Sequence, residues 1–270
     1  MSDRPLASVI VRAKNEGRNI GRALALLDAQ TVRARLEVIV VDSGSQDDTV
    51  AIARAAGARI IEIPPESFTF GGSLNTGCRA ATAEVLIALS AHAYPVDRTW
   101  AERIVEPFAD DRVACVSGRP TGPEGERLAG PRRADKDLLR ANPFWGYSNV
   151  GGAFRARLWR ERGFREDLPC TEDKEWSHYW AERGFLTIID PTLEVEHSHD
   201  DDVLLEVCRR ARREWEGFPM YLDLPPYGAR DLVREWWTKR GGCRSQLRAR
   251  LSPRRLAQLI GKYQGLRATR

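Results

Sequence analysis

The chain has 270 residues, 42% of them hydrophobic, with 8 Trp, 8 Phe and 6 Tyr, which is ample for the packed core of one large domain or two small ones. No apolar stretch approaches bilayer-spanning length, and the start MSDRPLASVIV lacks a basic segment followed by a long apolar one, so a cytoplasmic protein is expected. Five scattered cysteines without a CxxC argue against a disulfide frame or a zinc site, and the net charge of +4 hides an asymmetry: residues 239–270 hold ten Lys or Arg and no acid, and without them 32 basic face 38 acidic residues. A basic core that attracts nucleic acid is therefore not indicated.

In chain order, residues 8–13 (SVIVRA) read as a first strand. Asn15 is placed to cap a helix carrying Ile20, Leu24 and Leu27 at helical spacing. Residues 36–41 (LEVIVV) form a second strand that ends in Asp42-Ser43-Gly44-Ser45, and a helix over 47–56 follows, stopped by Gly57. Further strands are expected at 59–63, 85–90 and 113–117. Nearly continuous apolar strands alternating with helices mean a mainly parallel sheet covered on both faces. Such sheets bind ligands beyond their C-terminal strand ends, which directs attention to 12–16, 42–45 and 90–94. Residues 119–145, rich in Gly, Pro and charge, read as a long loop over one face. Residues 219–228 look like a linker, followed by helices at 229–238 and near 253–264.

Several residues have two readings. Asp42 is either the acceptor of its own Asx turn or a carboxylate for a nucleotide base or ribose. Glu172 and Asp173 are either acids favoured by a helix macrodipole or the setting of a general base facing a hydroxyl acceptor. Trp145 is either a core residue or a platform for a sugar ring, and Gly151 and Gly152 would permit close approach of an acceptor. The glycines of FGGSLN, including Gly72, are either a simple turn or a backbone cradle for an anion before a helix. His is scarce, four in all, yet His92, His197 and His199 lie at suspected strand ends. In an extended segment His197 and His199 face the same way.

The motifs SVIVRAKNE, VIVVDSGSQDDT, FGGSLNTGCRAATAEVLIALSAHAYP and TEDKEW, in this order, resemble family 2 glycosyltransferases of the GT-A fold, over roughly residues 7–215. The VEHSH stretch resembles their rhamnosyltransferase-like branch. The resemblance implies a GT-A-like α/β domain, mainly parallel, over 1–218, and a basic helical extension over 219–270. It implies that Arg12, Asn15, Glu16, Asp42, Ser43, Gly72, Asn75 and Ser90 hold a nucleoside-diphosphate sugar. It makes Asp173 the general base, with Glu172 as its orienting or acceptor-binding neighbour, in an inverting transfer to a hydroxyl acceptor near Trp145, Gly151 and Gly152. Where the family carries Asp-x-Asp, this chain has Ser90-Ala91-His92, so a divalent metal (Mn2+ or Mg2+) would be held by His92, His197 and His199, with imidazole favouring Mn2+. The basic tail suggests a peripheral contact with an anionic membrane, and a homodimer is a further partner option. Two rival readings are a sugar nucleotidyltransferase and a non-catalytic nucleotide-sugar binder. The first normally has a Gly-rich, basic loop directly after strand one, which SVIVRAKNE lacks. The intact Glu-Asp pair argues against the second.

Overall fold

Strand β1 (Ala7–Ala13) is buried at every position except the half-buried Arg12, because it sits inside the sheet with a parallel neighbour on each edge. Those neighbours are β2 (Leu36–Asp42) and β4 (Val85–Ser90), and β3 (Arg59–Glu62) extends the sheet beyond β2. The computed structural model describes residues 4–197, 202–237 and 252–268. Its main sheet has eight strands in the order β3-β2-β1-β4-β8-β6-β9-β7. The second half comprises β6 (Val113–Gly118), β7 (Arg132–Ala134), β8 (Gly151–Arg155) and β9 (Leu186–Asp190). A separate two-stranded ribbon pairs β5 (Tyr94–Pro95) with β10 (Val195–Glu196).

Alternate residues of each strand enter opposite cores, as a period of two requires. Val9, Val11, Val38, Val40, Ile87 and Leu89 pack with Ile20, Leu24 and Leu27 of helix α1 (Ile20–Asp28), and with Ala53 of helix α2 (Thr49–Ala55). Ile10, Ile39, Val41, Leu86 and Ala88 pack on the other face with Leu74 and Cys78 of helix α3 (Phe70–Ala80). Each fully buried aliphatic side chain contributes about 1.5–3 kcal/mol relative to exposure. This double coverage is why the strands read as unbroken apolar runs. The short helix α4 (Trp100–Arg103) buries Trp100, whose indole Nε1 donates to the Leu193 carbonyl at 3.0 Å.

The structure departs from the expected elements in four places. Strand β8 runs antiparallel between β4 and β6, so the sheet is mixed in its second half. The stretch read as one long loop contains β7 and helix α5 (Lys136–Ala141); β7 pairs antiparallel with β9 at the edge, where its two arginines suit a sheet margin. Asn15 does not cap α1: it adopts φ 54°, and the residue before α1 is Asn19. Residues Phe70 to Asn75 lie inside α3, capped by Thr69 Oγ1 accepting from the Gly72 N–H at 2.8 Å, and do not precede it. Gly57 follows α2 at φ 77°, as the expected stop does.

The chain divides into two compact units: Met1–Glu166 with Glu172–His197, and Asp167–Thr171 with Ser198–Arg270. Helices α6 (Ala156–Glu161) and α7 (Glu172–Ala181) complete the first. The second holds α8 (Leu204–Gly217), α9 (Ala229–Trp237) and α10 (Pro253–Ala268). Helix α8, expected in the catalytic domain ending at 218, packs along α10, where Gly261 and Gly265 let the two backbones approach. Leu259 and Leu266 of α10 are buried in this way, and Leu256 and Ile260 stay about a third exposed. No helix among the described residues is long and apolar enough to cross a membrane.

A Cβ at Gly71 would lie 2.2 Å from the Arg165 carbonyl oxygen, a backbone atom that cannot swing aside. Gly71→Ala should therefore destabilise the first unit by about 1–3 kcal/mol through overpacking. Gly130→Ala, with open space around the new methyl, should stay within about 0.5 kcal/mol of the parent. Denaturant unfolding of both variants checks this, and equal midpoints would contradict the close packing of α3 on residues 165–166.

Candidate functional site

Strand register assembles the site. Ala13 pairs with Asp42, and Arg12 pairs with both Val41 and Ser90, so the C-terminal ends of β1, β2 and β4 form one edge. Arg12 is the one half-buried residue of its strand, and its guanidinium spans three elements. Nη1 donates to the Phe70 carbonyl at 2.8 Å and to Glu172 Oε1 at 3.2 Å, beneath the Phe70 ring. Asn149 Nδ2 donates to the same Glu172 oxygen at 3.0 Å. Burial pushes the Glu172 carboxyl up; Arg12 opposes that shift, and the neighbouring Asp173 charge adds to it. Glu172 is thus a fixed internal group, with its side chain only 4% exposed.

Asp173 follows on α7 and reaches further out, with 16% of its side chain exposed. Its Oδ2 accepts from the Asn149 backbone N–H at 3.1 Å and lies 3.4 Å from Lys174 Nζ. Lys174 also donates to the Tyr147 carbonyl. Arg119, on the loop after β6, feels the Asp173 charge; burial nevertheless pushes its guanidinium down. Asn149, Lys174 and Arg119 were not singled out in the sequence. Asn149 lies in WGYSNVGG, where the aromatic residues and glycines drew attention instead. The third acid of the first helical turn, Glu175, is held by a two-pronged bridge from Arg162 at 2.6 and 3.1 Å, an architectural role.

Asp42 is buried and spent on its own turn. Oδ2 accepts from the Gly44 and Ser45 N–H groups at 3.0 and 2.9 Å, and Oδ1 accepts from Ser45 Oγ at 2.5 Å. The Asp42 carboxylate thus closes an Asx turn. Ser43, also buried, donates to the Ala13 carbonyl at 3.2 Å. Asn15 accepts from the Gln46 N–H at 2.8 Å, and its own N–H donates to Ser45 Oγ, so it laces the loop after β1 to the loop after β2.

His92 sits just beyond β4. Its Nδ1 is 2.8 Å from Glu16 Oε1 and 3.4 Å from Ser90 Oγ. Glu16 Oε2 accepts from Asn19 at 2.8 Å, and Asn19 accepts from Tyr94 Oη. Burial alone would raise the Glu16 carboxyl; the hydrogen bonds to His92 and Asn19 outweigh it and leave it below its ordinary value. Pairing of Glu196 with Tyr94 in the β5–β10 ribbon brings His197 against His92, with ring centroids 4.7 Å apart and planes 19° apart. In-plane lone pairs of stacked rings do not converge on one point, and no group of three His, Cys, Asp or Glu among the described residues forms a ready cation cage. What fits a metal is the Glu16–His92 contact: a carboxylate on one imidazole nitrogen orients the other for ligation. His199 lies outside the described residues.

Five residues expected at ligand contacts have internal partners in the fold. Asn75 is buried and consumed internally: its amide donates to the Phe164 carbonyl and Glu166, and its oxygen accepts from Trp159 Nε1 and the Phe164 N–H. Gly72, inside α3, lies against Thr69 and Glu166. Trp145 is 4% exposed in a small core with Leu139 and Ile189, its Nε1 donating to the Thr121 carbonyl. Gly151 and Gly152 are the first two residues of β8, and both are buried. A Cβ at Gly152 would meet the Ser148 carbonyl at 2.4 Å and the Tyr147 ring at 2.6 Å, and one at Gly151 would meet Val195 at 2.8 Å. These glycines serve the chain's own close approaches.

Comparison with known proteins adds an independent line. The family model described as glycosyl transferase family 2 matches residues 8–169. The chain is 27% identical over 210 residues to the O-antigen chain rhamnosyltransferase RfbN of Salmonella typhimurium, covering 72% of this chain and 66% of that one. It is 34% identical over 181 residues to the O-antigen chain rhamnosyltransferase WbaN of Salmonella anatum (61% and 57%), and 34% identical over 119 residues to the glycosyltransferase AglE of Haloferax volcanii (42% and 39%). The chain thus spans between 39% and 66% of the length of these relatives. Its fold is similar to the mannosyltransferase PcManGT from Pyrobaculum calidifontis, solved with GDP-Man and Mn2+ (TM-score 0.69, 21% identity, 97% of this chain and 86% of that one). It is also similar to glucosyl-3-phosphoglycerate synthase from Mycobacterium tuberculosis (TM-score 0.60, 18% identity, 84% and 82%). A match over more than half of the chain, on a sheet of the same fold, settles the classification: the protein belongs to glycosyl transferase family 2.

Proposed function

We propose that the chain transfers a sugar from a nucleoside diphosphate to a hydroxyl acceptor, with inversion at the anomeric carbon. The observation that carries this reading is the tether of the Glu172–Asp173 pair to the C-terminal sheet edge. Arg12 and Asn149 fix Glu172, and Asp173 stands beside it with its carboxylate less enclosed. Family membership supports the donor class, and the two rhamnosyltransferase relatives favour a deoxyhexose donor.

In this mechanism the nucleoside lies along the loops after β1 and β2, near Arg12, Glu16 and Asp42. The diphosphate lies towards Ser90, His92 and His197. Asp173 takes the proton of the acceptor hydroxyl as its oxygen attacks the anomeric carbon from the face opposite the leaving diphosphate. Proton removal by a placed base contributes typically about 10²- to 10⁴-fold. Glu172 does not move a proton; it holds the first turn of α7 so that Asp173 faces the acceptor. His92 would hold a divalent cation, with His197 stacked on its ring, and the cation would supply Lewis-acid neutralisation of the leaving diphosphate. Glu16 would hold the His92 ring in its ligating orientation.

Asp173→Asn removes the proton acceptor with little change in volume. It should lower kcat by about 10²-fold or more and leave the dissociation constant for the donor within a few-fold. Single-turnover assays with a panel of nucleoside-diphosphate sugars, with proton NMR of the product's anomeric configuration, check both points. Near-parental turnover, or retention of configuration, would remove Asp173 as the base.

Glu16→Gln should raise the Mn2+ concentration for half-maximal activity by about tenfold, the usual effect of losing a carboxylate behind a ligating histidine. His92→Ala should raise it further. Calorimetric titration of Mn2+ in the presence of the nucleoside diphosphate gives the same comparison without turnover. Full activity after exhaustive chelation would eliminate the cation.

A further inference from the structure

We propose that the second unit carries its own ligand site, for a phosphate group borne on a small apolar body, in the open cavity lined by α8, α9 and α10. The cavity has a volume of about 550 Å3 and is lined by residues of that unit alone. It belongs to none of the machinery assigned to glycosyl transfer, and the proposal stands or falls independently of that reading.

Three cations, Arg210, Arg255 and Lys262, face this space against two acids, Glu214 and Glu235. Glu235 is already committed: its Oε2 accepts from Lys262 Nζ at 2.6 Å and from Tyr227 Oη at 2.8 Å. Arg255 Nη2 donates to the Glu235 backbone carbonyl, also at 2.6 Å, but Nη1 is shut away from solvent with no hydrogen-bond partner among the described residues. A guanidinium cannot discharge this demand by losing its proton. Arg255 thus lines the cavity with a guanidinium whose hydrogen-bonding capacity is only partly used. Arg210 feels the same excess: it pairs with Asp202, yet burial and the like charges of Arg213 and Arg254 outweigh Glu214 and push it down. The unit as a whole has 16 Lys or Arg against 10 Asp or Glu.

Phosphate answers this arrangement better than a single carboxylate, because its oxygens can take several N–H donors at once and match the guanidinium fork. The remaining walls are apolar. Val207 and Leu259 are buried there, and the Trp215 indole, over which Lys262 Nζ sits at 4.2 Å, completes the lining. The volume lies in the range of small-molecule sites and exceeds what a bare phosphate ion fills. A phosphorylated soluble molecule and a phospholipid headgroup share this chemistry.

The full chain is titrated calorimetrically with phenyl phosphate, and its flotation is measured with phosphatidylcholine vesicles with and without phosphatidic acid. Saturable binding of phenyl phosphate supports the site with a soluble source, and selective binding to phosphatidic acid vesicles supports it with a lipid source. In either case Arg255→Met should weaken binding about tenfold, the equivalent of one charge-assisted hydrogen bond. Gln258→Trp, a bulky group at an exposed position of the lining, should block binding without touching any cation; it carries the test if Arg255→Met fails to fold. Absence of binding to both probes, or binding that Gln258→Trp leaves unchanged, overturns the proposal.

Discussion

One guanidinium holds the site together. Arg12 reaches from the central strand to the first residue of α3 and to the first residue of α7. Enclosing an ion pair is costly, and the cost is offset only when the remaining lone pairs are answered. Asn149 answers one of them at Glu172. Removing Arg12 would leave Glu172 buried with its charge unopposed, a loss of the order of 3–5 kcal/mol where a buried pair is broken. The elements bearing the proposed chemistry therefore hang on a residue that a hydropathy pattern would score as an interruption of an apolar strand.

The same geometry separates two adjacent acids. Consecutive positions on a helix project about 100° apart, so a dipeptide at a helix start cannot place both carboxylates alike. Glu172 turns into the protein, and Asp173 is the less enclosed of the two. Trp176 and Trp180, on the following turns, fix this rotation: Trp176 packs on Phe154 at 5.7 Å and on Phe164 at 5.5 Å, and Trp180 packs on Trp176 at 5.9 Å. The aromatic residues of α7 are thus part of the reason that Asp173, and not Glu172, is offered as the base.

What the sequence revealed follows from this physics. The parallel strands were legible because burial on both faces makes apolar runs, and the stop at Gly57 was legible because φ 77° favours glycine. Helices α9 and α10 were legible within a residue at their starts. Strand β8 was not: its first residues, Gly151 and Gly152, have poor strand propensity and are required by contacts with Val195, Ser148 and Tyr147 that lie distant in sequence or depend on a local turn. Strand β7 was hidden by Arg132 and Arg133, since an edge strand need not be apolar. At the site, residue types and their strand-end positions were readable, but the division of labour was not. Asn75 and Trp145 have the same chemistry whether they meet a sugar or the chain itself, and only tertiary packing shows that their polar atoms are already taken.

The departure from Asp-x-Asp at the end of β4 then has a physical interpretation. A carboxylate is still present, but Glu16 supplies it from the loop after β1, through Nδ1 of His92. Asn19, Tyr94 and Ser90 extend that contact into a hydrogen-bonded chain, and Glu16 stays ionised below the ordinary carboxylate range because of it. The negative charge has moved one layer behind an imidazole. In the proposed metal site, an imidazole ligand backed by a carboxylate would favour softer divalent ions over Mg2+ more than two direct carboxylates do. Because Glu16 sits on the first βα loop and His92 just beyond the fourth strand, the exchange requires the parallel register of β1 and β4, which sets Arg12 beside Ser90. The substitution is therefore a property of the sheet edge as a whole, and a lone His92→Asp reversion would place two carboxylates within hydrogen-bonding distance, like charges that cannot both stay ionised without a cation between them.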